Sequence, residues 1–200
     1  MTFKTLIGAA ALALGLSAGA SHAATLIVSS GKLTGATGVD VGGTLYDVTF
    51  ADGSCASLYG GCTDATIPFS TAADGTAASE ALLDQVLLDG PPGNFDTDPT
   101  TLVGITSVSA AQIYTPYARN SDPTIPTVHI VLAYNSNTVT AGDSTIGGTV
   151  YNIIGDTTGQ TDRLYAVWSL SAVTPVPLPA GGLLLLTGLA GLGWHRRRAG

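Results

Sequence analysis

Charge is scarce in this sequence, and basic residues are its rarest charged type. Of the 200 residues only 10% are charged, seven of them basic and fourteen acidic. Three basic residues and all fourteen acids lie between residues 24 and 175, so this central region carries a net charge of −11. Such a surface repels the phosphate backbone of nucleic acids, and we exclude nucleic acid as a partner.

Signatures of catalysis are also missing. The sequence contains no Gly-x-Ser-x-Gly nucleophile motif, phosphate-binding loop or dinucleotide fingerprint. Its single glutamate, Glu80, falls in the first turn of a predicted helix, where a negative charge favours the helix dipole. We therefore predict no catalytic residue, no cofactor and no enzyme activity.

Glycine, by contrast, is abundant. The 26 glycines and the low charge favour a turn-rich β protein over a helical bundle. Residues 35–40 are small and are expected to be flexible. Alternating or β-branched runs predict strands at residues 25–28, 44–50, 102–108, 111–115, 127–134, 149–154 and 164–171.

One helix is predicted over residues 79–88, where leucine and valine recur at helical spacing before the Gly90-Pro91-Pro92 stop. The expected fold is mainly β, an antiparallel sheet or sandwich, with this one helix packed on it. Residues 41–48 and 146–153 match in character at every position, each with a Gly-Gly pair entering a strand. They predict two equivalent hairpins, or else chance reuse of the same turn chemistry.

The N-terminus has the three zones of a secretory signal peptide. Lys4 supplies the positive charge, residues 6–16 form a short apolar run, and residues 21–23 are Ser-His-Ala. The apolar run is too short to span a membrane. We predict a signal peptide over residues 1–23, cleaved after Ala23 by signal peptidase once the secretion translocon has engaged the chain; a buried N-terminal helix is the alternative.

The C-terminus has a second targeting pattern. Residues 178–194 carry no charge and, at about 1.5 Å per residue, form a helix just short of the hydrocarbon core. Basic residues after it would stop translocation and stay in the cytoplasm. This basic tail, residues 195–198, contains Arg196, Arg197 and Arg198. A plain tail anchor would explain the helix and the arginines.

A plain anchor does not explain the residues just before the helix, which are Val176, Pro177, Leu178, Pro179 and Ala180. This order of motif, helix and basic tail over residues 174–200 resembles the PEP-CTERM sorting signals of Gram-negative bacteria, in the variant called VPLPA-CTERM. The resemblance implies that an exosortase, a membrane-embedded protease, recognises residues 176–180 and removes the helix. The prolines prevent helix formation and leave an extended segment for a protease to bind.

The region between the two signals, residues 24–173, is similar to uncharacterised proteins that carry the same class of sorting signal. The residues that carry this similarity are 43–55, 60–62, 79–90, 115–117 and 165–169. The similarity implies a shared fold and no particular reaction.

Cys55 and Cys62 are the only cysteines, and the loop between them is glycine-rich. An even cysteine count in an exported chain predicts a disulfide, which would contribute about 2–3 kcal/mol in the chain-entropy model. A pair of zinc ligands is the alternative, but no histidine or further cysteine lies at metal-ligand spacing. A nucleophilic cysteine would need His129 as its general base, and His129 alternates with valine and isoleucine on a predicted strand.

Asn94, Asp96 and Asp98 place oxygen atoms at alternate positions, as a calcium loop does. The later positions of such a loop do not match, so these three residues are weak metal candidates, and turn capping before Pro99 is the ordinary explanation.

Taken together, these patterns predict a non-enzymatic protein exported across the inner membrane of a Gram-negative bacterium. It would be held transiently in the membrane, then sorted to the cell surface or released, with extracellular polysaccharide as a further partner implied by the resemblance. The alternatives are a carbohydrate- or calcium-binding adhesive module and an envelope hydrolase that uses His129.

Overall fold

A computed structural model describes residues 23–120, 122, 124–138 and 142–172. The residues before Ala23 and the whole sorting signal, 174–200, lie outside the described part of the chain. The signal peptide, the motif 176–180, the helix 178–194 and the arginines 196–198 therefore stay predictions.

Seven strands form one sheet, in the order β1-β2-β3-β9-β6-β7-β8. A separate ribbon of two residues per strand, β4–β5, lies outside it. The strands are β1 Thr25–Ser29, β2 Lys32–Val41, β3 Thr44–Ala51, β4 Asp89–Gly90, β5 Gly93–Asn94, β6 Ala110–Arg119, β7 Thr127–Ser136, β8 Ser144–Asn152 and β9 Arg163–Leu170. The prediction of a mainly β fold with one packed helix is confirmed.

The sheet is mixed where an antiparallel sheet or sandwich was expected, because one of its strand pairs, β6 with β9, is parallel. The chain builds two three-stranded meanders, β1-β2-β3 and β6-β7-β8, and the last strand inserts between them. Strand β9 is antiparallel to β3 and parallel to β6. The seven strands belong to a single sheet and do not form two sheets packed as a sandwich.

The packed helix, α2, spans Ala72–Gln85 and begins seven residues before the predicted start. Thr71 caps it, because its side chain accepts a hydrogen bond from the backbone N–H of Asp74 at 3.1 Å. Small residues fill the first two turns, so the apolar periodicity that predicted a helix is visible only in the second half. A shorter helix, α1, spans Cys55–Leu58 and was not predicted.

Two other predicted segments differ from the structure. Residues 35–40, expected to be flexible, belong to β2. Residues 102–108, expected to form a strand, follow a 3-10 turn at Pro99–Thr101 and continue as turn and loop. The apolar pattern of this loop arises because Leu102 and Ile105 are buried in the core. Its pairing is limited to one isolated bridge between Leu102 and Leu33.

The two matching Gly-Gly segments have different structures, so the prediction of two equivalent hairpins is wrong. Gly42 and Gly43 both have positive φ and form the two-residue turn between β2 and β3. In the second copy, Gly147 and Gly148 lie inside β8, at a register shift opposite β7. There they supply one extra residue and form a β-bulge.

The sheet has buried residues on both faces. One face packs against α2 and the loop that carries Phe95, Leu102 and Ile105. The other face, with Tyr114 and Tyr165, is covered by the chain from Cys55 to Ile67. The fold therefore has three layers, and the disulfide region predicted from the sequence forms one of the outer ones.

Candidate functional site

The disulfide segment, residues 54–62, is held by a covalent bond as well as by hydrogen bonds. Cys55 and Cys62 form a disulfide with a Cα–Cα distance of 5.4 Å, and both residues are fully buried. The predicted disulfide is therefore present in the structure. Because both sulfur atoms are bonded to each other, neither cysteine offers the thiol that a zinc site or a nucleophilic cysteine would require.

Local hydrogen bonds explain why this segment folds as it does. Ser54 and Ser57 form a capping box at the start of α1, each side chain bonding the other residue's backbone N–H. After α1, three successive residues, Gly60, Gly61 and Cys62, have positive φ and reverse the chain. The segment is also tied to the end of β8, because Ala56 N–H donates to the carbonyl oxygen of Ile153 at 2.8 Å.

Tyr59 is the residue that joins this segment to the centre of the sheet. Its hydroxyl donates to the carbonyl oxygen of Ala166 at 2.7 Å and accepts from the backbone N–H of Trp168 at 3.0 Å. The side chain is almost fully buried, and burial raises the pKa of the phenol far above its ordinary value although the Trp168 bond opposes this. Tyr59 therefore acts as a neutral hydrogen-bonding group and not as a base.

The predicted calcium candidates have different structural roles. Asn94 lies in β5, and its carbonyl oxygen accepts from the backbone N–H of Asp98 at 3.0 Å. Asp98 caps the 3-10 turn, because its Oδ1 accepts from the Thr100 backbone at 3.0 Å and from the Thr100 hydroxyl. The carboxylate of Asp98 is thus directed to its own turn.

Asp96, the third candidate, lies near two other carboxyl groups. Asp89 accepts the backbone N–H groups of Asp96 and Thr97 at 3.0 and 3.1 Å. Burial raises the pKa of Asp96, and the carboxylates of Asp143 and Asp89 raise it further. One of its oxygens, Oδ1, is buried and accepts no hydrogen bond within the described residues.

This acidic group does not amount to a metal centre. In the part of the chain that the structure describes, no three His, Cys, Asp or Glu side chains are grouped so that they could hold a metal ion. What the arrangement can do chemically is share a proton, since a carboxyl next to another carboxylate favours its neutral form.

His129, the base of the hydrolase alternative, lies in β7 between Ala118 of β6 and Val150 of β8. Its ring lies 5.6 Å from the ring of Tyr117, with the planes 30° apart. It faces the α2 side of the sheet, because Tyr117 belongs to the core on that side. The disulfide cysteines pack on the opposite face, so the structure does not bring His129 and a cysteine together.

Sequence reasoning missed Tyr59 and Asp143, since nothing in the local pattern marks either one. Pro116 could have indicated that a strand ladder is interrupted, because a proline inside a strand has no N–H to donate to the neighbouring strand.

Comparison with protein-family models, with curated proteins and with solved structures finds no match for this chain. Within the described residues, no helix has the length and apolar character needed to cross a membrane.

Proposed function

We propose that this protein is an exported, non-enzymatic protein that an exosortase-like membrane protease sorts through residues 176–180. The observation that carries the proposal is the sequence of the tail, in which the proline motif, the uncharged stretch and the arginines follow one another without interruption. The fold is compatible with it, because the described strands, from Thr25 to Leu170, lie between the two targeting patterns.

Within the described residues, the end of the sheet lies close in sequence to the motif. Strand β9 ends at Leu170, and the backbone N–H of Ser171 still donates to the carbonyl oxygen of Leu45 at 3.0 Å. Four residues, 172–175, lie between Ser171 and Val176, so the Cα atoms of Ser171 and Val176 are at most about 18 Å apart. The motif would therefore be presented a short distance from the folded domain, outside the membrane, where a membrane protease could bind it.

The buried disulfide is a second support. Disulfides persist in oxidising compartments outside the cytoplasm and are rare inside it. In this proposal the chain passes the secretion translocon, loses residues 1–23 to signal peptidase, and is held by residues 178–194 until the protease releases it.

The test is mass spectrometry of the native protein from cell envelope and medium. We expect the mature chain to begin after Ala23 and to lack Arg196, Arg197 and Arg198. Changing Pro177 and Pro179 to alanine should leave an uncut, membrane-bound precursor.

The matched control is Pro175→Ala, which alters a proline just outside the motif and should leave processing unchanged. A bulk mature protein that still ends at Gly200 would mean that the tail is an ordinary anchor.

A further inference from the structure

Strands β6 and β9 lie side by side in the centre of the sheet, but they pair over only three positions. The partners are Gln112 with Arg163, Ile113 with Leu164, and Tyr114 with Tyr165. The next residues of both strands are buried, so a sheet that simply opened here would leave backbone groups without partners.

A proline explains where the pairing stops. The backbone N–H of Gln112 points toward β9, since it donates to the carbonyl oxygen of Asp162 at 2.7 Å. Backbone groups of alternate residues point to the same neighbouring strand, so those of Tyr114 and Pro116 face β9 as well. Proline has no N–H, and the ladder loses its next donor at Pro116.

The hydroxyl of Tyr59 makes the hydrogen bonds that residue 116 would make in a continuous ladder. In the register of the three existing pairs, residue 116 would donate to the carbonyl of Ala166 and accept from the N–H of Trp168. Tyr59 makes both of these bonds, donating at 2.7 Å and accepting at 3.0 Å. The central sheet is therefore completed by a side chain from the disulfide segment.

The disulfide determines where Tyr59 can be. Tyr59 lies inside the ring that Cys55 and Cys62 close, directly before the three residues of positive φ. Cys62 has φ 53°, a conformation that is unfavourable for a residue with a side chain unless the surroundings impose it. The covalent ring encloses all three residues of positive φ, so opening the disulfide would remove a constraint on this stretch of backbone.

We propose that formation of the Cys55–Cys62 disulfide locks Tyr59 into the gap between β6 and β9, so that the sheet is completed only after the chain has reached an oxidising compartment. This rests on the proposed export, because it makes the compartment the trigger. The chain would remain incompletely folded in the reducing cytoplasm, which is the state in which it could be threaded through the translocon.

The redox step requires a disulfide-bearing thiol oxidant. One cysteine thiolate attacks the oxidant's disulfide and forms a mixed disulfide, releasing one thiol of the oxidant. The other cysteine thiolate then attacks the mixed disulfide, forming the Cys55–Cys62 bond and releasing the second thiol. The two cysteines lose two electrons and two protons in total, and the oxidant gains them.

The experiment compares backbone hydrogen exchange at Trp168 in the purified protein, in Tyr59→Phe, in the double variant Cys55→Ser/Cys62→Ser, and in the combination of all three changes. Tyr59→Phe removes one hydroxyl and keeps the disulfide, and we expect Trp168 to exchange at least about tenfold faster. The cysteine variant should show a loss of similar size. Adding Tyr59→Phe to it should have little further effect, because the hydroxyl is already displaced. Tyr46→Phe, on the α2 face of the sheet, is the matched control.

A second measurement covers the case in which the cysteine-free chain does not fold. Both cysteines are fully buried, so dithiothreitol can reduce them only when the segment opens. If disulfide and tyrosine are coupled, Tyr59→Phe should be reduced at least about tenfold faster than the unchanged protein, because coupling acts equally in both directions. Equal reduction rates in the two proteins would overturn the proposal. It would also be overturned if Tyr59→Phe accelerated Trp168 exchange by the same factor with and without the disulfide.

Discussion

The surroundings of Asp96 disfavour its charged form and raise its pKa. Its buried oxygen has no donor within the described residues, and Asp143 and Asp89 both place negative charge beside it. Asp143 is itself engaged, because its Oδ1 accepts from the backbone N–H of Ser136 at 2.8 Å. Asp96 follows β5 and Asp143 directly precedes β8, so the charges of these two carboxyl groups act between segments that are distant in sequence.

We predict that Asp96→Asn stabilises the folded protein at neutral pH. Since burial and the two carboxylates raise the pKa of Asp96, the folded chain binds this proton more tightly than the unfolded chain. The favourable contribution is complete below the unfolded pKa and is lost as pH rises through the folded pKa. Asparagine removes the charge, so the urea midpoint should rise at pH 7, and the gain should shrink toward about pH 3.

Asp84→Asn is the control for this prediction, because Asp84 is exposed on α2. It should change the urea midpoint little. If Asp96→Asn lowered the midpoint at pH 7, the carboxylate would have to be stabilised by a group other than those described.

At the scale of elements, strands β2 and β3 approach each other unusually closely at Gly35. A Cβ atom on this residue would lie 2.2 Å from the carbonyl oxygen of Val48 and 3.1 Å from the Cα of Thr49. The pairing of β2 with β3 shifts register just after this point, between Ala36 and Val39. Glycine is therefore required here by the close contact of two backbones, and not by a turn.

We predict that Gly35→Ala destabilises the protein by about 1–3 kcal/mol or more, since β2 must move away from β3 and from its buried neighbours. Urea denaturation followed by tryptophan fluorescence measures the effect. Gly147→Ala is the matched control in another strand, because its Cβ would meet only the Thr76 hydroxyl, at 3.9 Å. That variant should stay within about 0.5 kcal/mol of the unchanged protein; equal losses in both would mean that glycine in a strand matters here only through backbone entropy.

At the scale of the whole molecule, the net charge of −11 between residues 24 and 175 is concentrated on a small domain. Among the described residues, the one ion pair joins Arg163 to its sequence neighbour Asp162, with an N–O distance of 3.1 Å. Most of the acids therefore repel one another across the surface, and folding brings them closer together.

We predict that sodium chloride stabilises the folded domain. Raising the salt to about 0.5 M shortens the screening length to a few ångströms and weakens this repulsion, so the thermal midpoint should rise. The same addition near pH 4, where many carboxyl groups are neutral, should raise it less. A midpoint that is independent of salt at pH 7 would show that the acids are too far apart to destabilise the fold.

Much of the architecture could be predicted from the sequence because it depends on neighbours along the chain. Alternation within residues 44–50 and 127–134 predicts strands, and β3 and β7 contain them. With only two cysteines, the pairing of Cys55 with Cys62 follows as soon as the compartment is oxidising. The predictions for the start of α2 and for residues 102–108 were wrong, because small residues conceal the first turns of the helix and the buried side chains of Leu102 and Ile105 imitate a strand.

The tertiary structure alone decided how these elements meet. Nothing local places β9 between β3 and β6, or Asp143 beside Asp96, and Tyr59 reaches Ala166 across 107 positions of the chain. Residue patterns report which face of an element is apolar, whereas the partner of that face is selected by packing of the whole chain. For this reason the sequence determined the disulfide and the class of fold, and only the folded chain revealed that the disulfide segment completes the central sheet.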